Sequence, residues 1–366
     1  MSTRSAFAVT ILFFTSAWAA AGTVHVANNG VDTATCGSFA APCRSIGVGI
    51  NHALAGDTVL VQPGRYGDLN RDGVLSGSGE ERSASVTAAL RVRRPVKVLS
   101  THGAVVTVID AGGAARAAVE IASSNVTFGD FEEGFTLVGG QQHGLSTDGF
   151  TNIRISGNIA RGAPDTGLFV VSAGVIEVSD NVVHDNTNAG IQAVSRIDDG
   201  HVFVRRNKAY SNGVGISVAF HGSHEVSFNE VSNNLGPGIA VTVTPVLVFR
   251  NLVTGNGTGI LSLSTAAQNP PLARSLLIRN TLIGNLDAGL QLHAEPGLVT
   301  LRENNFYGNG LRDTFFPNCG LANVSIGPVN AINSYWGAPT GPGADPADVA
   351  CGSRPVVTTP FASSPH

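Results

Sequence analysis

A glycine followed by isoleucine or leucine returns seven times along the middle of this chain, at Gly144, Gly167, Gly190, Gly215, Gly238, Gly259 and Gly289, spaced 21 to 30 residues apart. Each opens a short apolar run, and a second alternating run follows that ends in Asn158, Asn181, Asn207, Asn229, Asn251, Asn280 or Asn304. The segment from Asn333 to Gly337 aligns with that from Asn304 to Gly308 and adds Asn333 to the series. Six of these asparagines have another five residues later, at Asn186, Asn212, Asn234, Asn256, Asn285 and Asn309. Repeats of this length mark units that bury their apolar faces only by stacking.

The runs alternate with period two, as in Val202-Phe203-Val204 before Asn207, and are too short for helices. Each repeat therefore holds about three strands. The glycines and asparagines are expected at the bends, where both residues tolerate left-handed backbone angles. Stacking at about 4.8 Å per coil puts equivalent residues in columns. An inward column of asparagines would hydrogen-bond from coil to coil, as stacked amides do in cross-β structures.

The Gly-Ile strand starts and the asparagine turns resemble the right-handed parallel β-helix proteins of the pectin-lyase-like group, in particular secreted families built from generic β-helix repeats. The fold this implies is all-β, a single-stranded right-handed parallel β-helix solenoid with an N-terminal capping helix. Lyases, hydrolases, epimerases and proteins of no known reaction share the fold, so the resemblance leaves activity open.

Residues 1–21 read as a secretory signal peptide, with Arg4 ahead of an apolar run and a small-x-small site near Ala19. The run is too short to span a membrane. Export makes disulfides permissible, and spacing favours Cys36 with Cys43 and Cys319 with Cys351, the other two connectivities staying formally open. Histidines or further cysteines at metal-site spacing are lacking beside them. Only Lys97 and Lys208 are lysines among 22 basic residues and the net charge is −4, so no basic stripe invites nucleic acid. The expected product is an exported, soluble monomer.

Residues 22–56 are expected to hold a first strand and an amphipathic helix, with Ile46, Ile50 and Leu54 at helical spacing, that caps the first coil. The β-helix then occupies residues 57–366. The segment from Gly56 to Tyr66 resembles the opening coil of secreted β-helix proteins, the alginate- and chondroitin-degrading lyases among them. Residues 69–85 lack periodic apolar positions and read as a projecting loop. Phe131 takes the slot of an asparagine in an irregular coil, and residues 264–274 form an insertion. Tyr307 and Trp336 are expected to stack on neighbouring coils, and the tail to wrap the last one.

The resemblance places a substrate groove on the outer side of the Gly-Ile strands. The outward residues, such as Ser146, Phe169, Gln192, Ser217, Ala240, Leu261 and Gln291, are mostly neutral. No carboxylate rows suit calcium-assisted cleavage, and no cofactor is identified. The adjoining turns carry Arg196, Asp198, Asp199, His201, His221, His224 and Glu225. His201 or His221 with Arg196 could serve an elimination at a uronate. Asp198 or Asp199 with Glu225 could serve a hydrolysis, which needs carboxyls about 5–9.5 Å apart. In a purely structural reading these are solvated turn residues, with His224 inward and hydrogen-bonded. Two functions follow: a secreted β-helix that binds an extracellular polysaccharide and cleaves it as a lyase or glycoside hydrolase, or a non-catalytic recognition scaffold.

Overall fold

The structure, a computed structural model, describes residues 21–81, 87–242, 245–264, 275–294, 299–312, 317–325 and 327–366. The expected leader except Ala21, residues 82–85 of the expected loop and residues 265–274 of the expected insertion lie outside these. Among the described residues the chain winds through three parallel sheets. Sheet A has 13 strands, sheet B has 10 and sheet C has 11. One coil passes through all three in the order C, A, B, as Ala189–Ser195, His201–Arg205 and Lys208–Tyr210 do.

Register follows the sequence repeat. Ile191 lies opposite Leu168 on one side and Ile216 on the other, and all three are fully buried. Each sheet supplies one such column, so a single apolar core runs the length of the rod. Removing a methyl-bearing side chain from it would cost about 2–5 kcal/mol.

The corners differ from expectation in an instructive way. None of the glycines that open the C strands has a left-handed φ. They are glycine because of close approach: a Cβ on Gly190 would lie 2.7 Å from the Gly215 carbonyl oxygen, and one on Gly215 would lie 2.5 Å from that of Gly238. The left-handed position is the residue before each ladder asparagine, with Asp180 at φ 58°, Arg206 at 55° and Arg250 at 51°. The asparagine then closes the corner with its amide. Asn207, for example, donates its backbone N–H and its side-chain amide to Asn229 Oδ1, at 2.9 and 3.1 Å.

This ladder runs from Asn158 to Asn304 and ends on the hydroxyl of Ser334. Asn333 is not a rung. It holds the left-handed corner at φ 55°, one residue earlier, because Arg302 pairs with Ile332 in register. Phe131 is likewise displaced from its expected slot. Phe135, fully buried, stands there and donates its N–H to Asn158 Oδ1, while Phe131 is exposed in the turn before it. The second ladder, from Asn186 to Asn309, ends on the buried carboxyl of Asp348, which accepts from the Asn309 side chain at 2.6 Å. Burial raises the Asp348 pKa to about 6.

At the N-terminal end Thr23–Val26 is already a rung of sheet A, paired with Thr58–Val61. The helix Ile46–His52 packs against these strands and against Ala88–Val92, the first strand of sheet C. Ile46 and Ile50 are buried but Leu54, beyond the end of the helix, is exposed, and Ala53 fills the core position instead. The expected loop is exposed or half-buried through most of its described part, residues 69–81, and is anchored at its C-terminal end. Its Glu81 is buried and accepts N–H bonds from Ile46 and Gly47, and its Glu80 folds back on Leu69 and Gly77. Burial lifts the Glu81 pKa to about 7.

Both favoured disulfides form, Cys36 with Cys43 and Cys319 with Cys351. At the C-terminal end the aromatic pairing is shifted by one residue from expectation: buried Trp336 stacks on Phe306 at 4.7 Å, and Tyr335 meets Tyr307 at 5.4 Å.

Candidate functional site

The outer face of sheet C is built as the alternation requires. Ser146, Phe169, Gln192, Ser217, Ala240, Leu261 and Gln291 form one in-register column of half-buried side chains. The imidazole of His143 stacks on Phe169 with ring centres 4.8 Å apart and planes 12° from parallel. Burial holds the His143 pKa below its usual value against the pull of Asp165, so the ring packs as a neutral group.

The turns that leave this face toward sheet A carry the charged groups. Arg196 reaches back two coils to pair with Asp148, both being more than half exposed. His221 Nδ1 lies 2.9 Å from Asp198 Oδ1. Asp199 is exposed beside it. His201 contacts the Ser223 hydroxyl one coil on. Arg196 and His221 therefore stand in the same rim, each engaged by a carboxylate.

Glu225 does not join them. It lies on sheet A opposite Phe203, where Arg205 binds it through two nitrogens at 2.9 and 2.6 Å and the Ser227 hydroxyl donates at 2.6 Å. Its burial, which raises the pKa, is outweighed by these bonds, and the carboxyl sits below the usual range. It is an ionised partner of Arg205, unsuited to donating a proton. His224 is inward and 3% exposed, as expected, but neither ring nitrogen has a well-formed hydrogen bond. Burial lowers its pKa to about 4 against the influence of the His221 and Ala219 backbone, so it stays neutral at physiological pH.

Sequence reasoning missed Phe220. It ends the strand Val214–Phe220, is 60% exposed and has φ 67°. A bulky residue at positive φ is an outlier. Ser172 and Ser195 occupy the equivalent positions on the two coils before it. The break in that serine column was the signal available in the sequence.

Elsewhere, Arg154 and Glu177 share a register but take other partners: Arg154 pairs with Asp130 at 3.0 Å, and Glu177 lies 4.0 Å from Arg206. The outward apolar residues Leu247, Phe249 and Leu276 are partly exposed, while Ile278 is buried.

Among the described residues, the one group of three side chains close enough to share a metal ion is Cys36, Cys43 and His52. Its two sulfurs are joined to each other, which removes the thiolates a metal would bind.

Stacked parallel coils, an asparagine ladder and a side face flanked by turns define a right-handed parallel β-helix protein of the pectin-lyase-like group. Within it, the chain belongs to the family described as periplasmic copper-binding protein (NosD), whose model matches residues 119–312, just over half of its length. No curated protein sequence matches it. Among solved structures it is similar to the A-module of the Azotobacter vinelandii mannuronan C-5 epimerase AlgE4, with 15% identity, TM-score 0.54, and 84% of this chain and 88% of that one covered. It is also similar to pectate lyase Pel9A, with 15% identity, TM-score 0.49 and coverage of 94% and 80%. A third similarity is to the Dettilon tailspike protein, with 14% identity, TM-score 0.47 and coverage of 79% and 56%. At these identities the likeness is one of fold.

Proposed function

We propose that this protein acts outside the cytoplasm as a monomeric β-helix that binds an extended polysaccharide along the outer face of sheet C. The observation that carries the reading is Phe220, held exposed at a left-handed φ beside the His221–Asp198 pair. Left-handed φ costs a non-glycine residue about 1–2 kcal/mol, and here it accompanies a ring that stands exposed where the equivalent Ser172 and Ser195 are buried. An exposed ring offers a flat apolar surface to a sugar face, while Gln192 and Ser217 on the column beside it offer hydrogen bonds to hydroxyls. Two disulfides support an oxidising compartment.

A second reading adds catalysis at the same place. An imidazole oriented by a carboxylate, as His221 is by Asp198, has the arrangement of a general base. The engagement of Glu225 with Arg205 weighs against a two-carboxyl hydrolysis and leaves elimination as the chemistry these groups suit better.

The family description names copper, and this chain's donors do not fit a resident copper centre. Copper favours thiolate, thioether and imidazole ligands. The four cysteines are tied up as disulfides, the one methionine is Met1, and among the described residues no three histidines converge.

The test is a panel of neutral and acidic polysaccharides, with binding followed by affinity electrophoresis, and cleavage by new reducing ends and the ultraviolet absorbance of unsaturated uronates. Binding that Phe220→Ala weakens by about 1–2 kcal/mol, roughly tenfold, supports the site. Absorbance that His221→Ala abolishes supports elimination. Absence of binding across the panel would remove the polysaccharide reading.

A further inference from the structure

Beside the uncharged column at mid-rod the exposed Arg196 is committed to a carboxylate, and this bears on the kind of chain that can lie there. A polyuronate carries a carboxylate on every residue and needs cations free to meet it. Arg196 is held by Asp148, and Asp198 and Asp199 are exposed beside it on the same rim. Nearer the N-terminal end Arg91 is 2.9 Å from Glu120, while Arg116 bonds the neutral Gln142 and keeps its charge. Arg93 opens onto a cavity of about 470 Å³ that also holds Asp32, Glu80 and Glu81. Asp199, exposed on the same rim, has no cation assigned to it. What remains for a ligand is the uncharged column of Phe169, Gln192 and Ser217 with the ring of Phe220.

We infer that the ligand of this face is a neutral polysaccharide, selected against polyuronates at mid-rod by an uncharged column whose neighbouring cation, Arg196, is already paired with Asp148 and whose rim exposes Asp198 and Asp199. The inference rests on the polysaccharide-binding reading above, narrows it, and stands against elimination, which needs a uronate. A polyuronate would have to break that exposed ion pair and lie beside the carboxylate it released, whereas a neutral chain leaves it intact. That pair, of modest strength, and the two carboxylates beside it set the expected discrimination at about tenfold.

The experiment measures affinity for length-matched neutral glucans and mannans and for polygalacturonate and alginate, at low and high ionic strength. The expected result is neutral binding that salt barely changes and polyuronate binding about tenfold weaker. Asp148→Asn, an exposed substitution whose folding circular dichroism checks, should release Arg196 and raise polyuronate affinity severalfold. Polyuronate binding as tight as neutral binding, or Asp148→Asn without effect on it, would overturn the inference and leave the polysaccharide reading standing. Binding of neither class would overturn both.

Discussion

Asn229→Ala tests the ladder as an energetic element. In the native protein Asn229 Oδ1 accepts from the backbone N–H and the side-chain amide of Asn207, and its own amide donates to Val204 O at 2.9 Å and Asn251 Oδ1 at 2.9 Å. Alanine retains the backbone N–H that reaches Asn251 but removes the rest. The amide of Asn207 keeps carbonyl partners at Val178 and Arg205, so its loss is modest. The backbone N–H of Asn207 has no alternative acceptor and is buried, which costs about 1–3 kcal/mol. Two further bonds at about 1 kcal/mol each bring the expected loss to roughly 3–5 kcal/mol. Urea denaturation followed by far-ultraviolet circular dichroism measures it. The control is Asn188→Ala, where an exposed amide reaches the Asp165 carboxylate at 2.8 Å and about 1 kcal/mol at most is at stake. A loss at Asn229 below about 1 kcal/mol, or one equal to the control, would refute the claim that the ladder holds the corners.

Phe220→Gly should stabilise the fold by about 1 kcal/mol while weakening polysaccharide binding, since glycine accepts the left-handed φ and the ring packs little; thermal melts and affinity electrophoresis read the two effects. The Asp348 pKa is raised from 3.8 to about 6, so between these values the folded state binds more protons than the unfolded one, and stability falls as pH rises through that window. The fall amounts to about 3 kcal/mol, and Asp348→Asn should flatten that part of the urea-midpoint profile. Glu81 adds a fall of the same sign between 4.5 and about 7, which the Asp348 variant should retain. Titration of the oxidised mature protein with copper should show no tight stoichiometric site, and a paramagnetic spectrum typical of nitrogen-ligated copper would contradict the donor argument.

The inward columns and the asparagine turns were legible because each depends on local spacing repeated many times. The ladder asparagines from Asn158 to Asn304 and the buried column through Ile191 and Ile216 follow from a period that no single irregularity can hide. Reading failed by one to four residues where the pattern thinned. Asn333 and Ser334 exchange roles at the last rung, Phe135 replaces Phe131, and Trp336 pairs with Phe306 because a one-residue shift changes every partner. The site was legible only in outline. The turn carrying Arg196, Asp198 and His221 stood out by composition, but nothing in its spacing said that Arg196 would reach Asp148 or that Glu225 would face Arg205 on another sheet.

By itself, then, the sequence determined a parallel β-helix of stacked coils with an apolar core, amide-bonded corners and a largely uncharged outer face on sheet C. These follow from periodicity, and periodicity is written in the order of residues. The tertiary structure alone decided which charge meets which, where the backbone is strained and which aromatic rings are left exposed. Long side chains on short turns choose among neighbours from several coils at nearly equal cost, and the geometry of the stacked coils makes the choice.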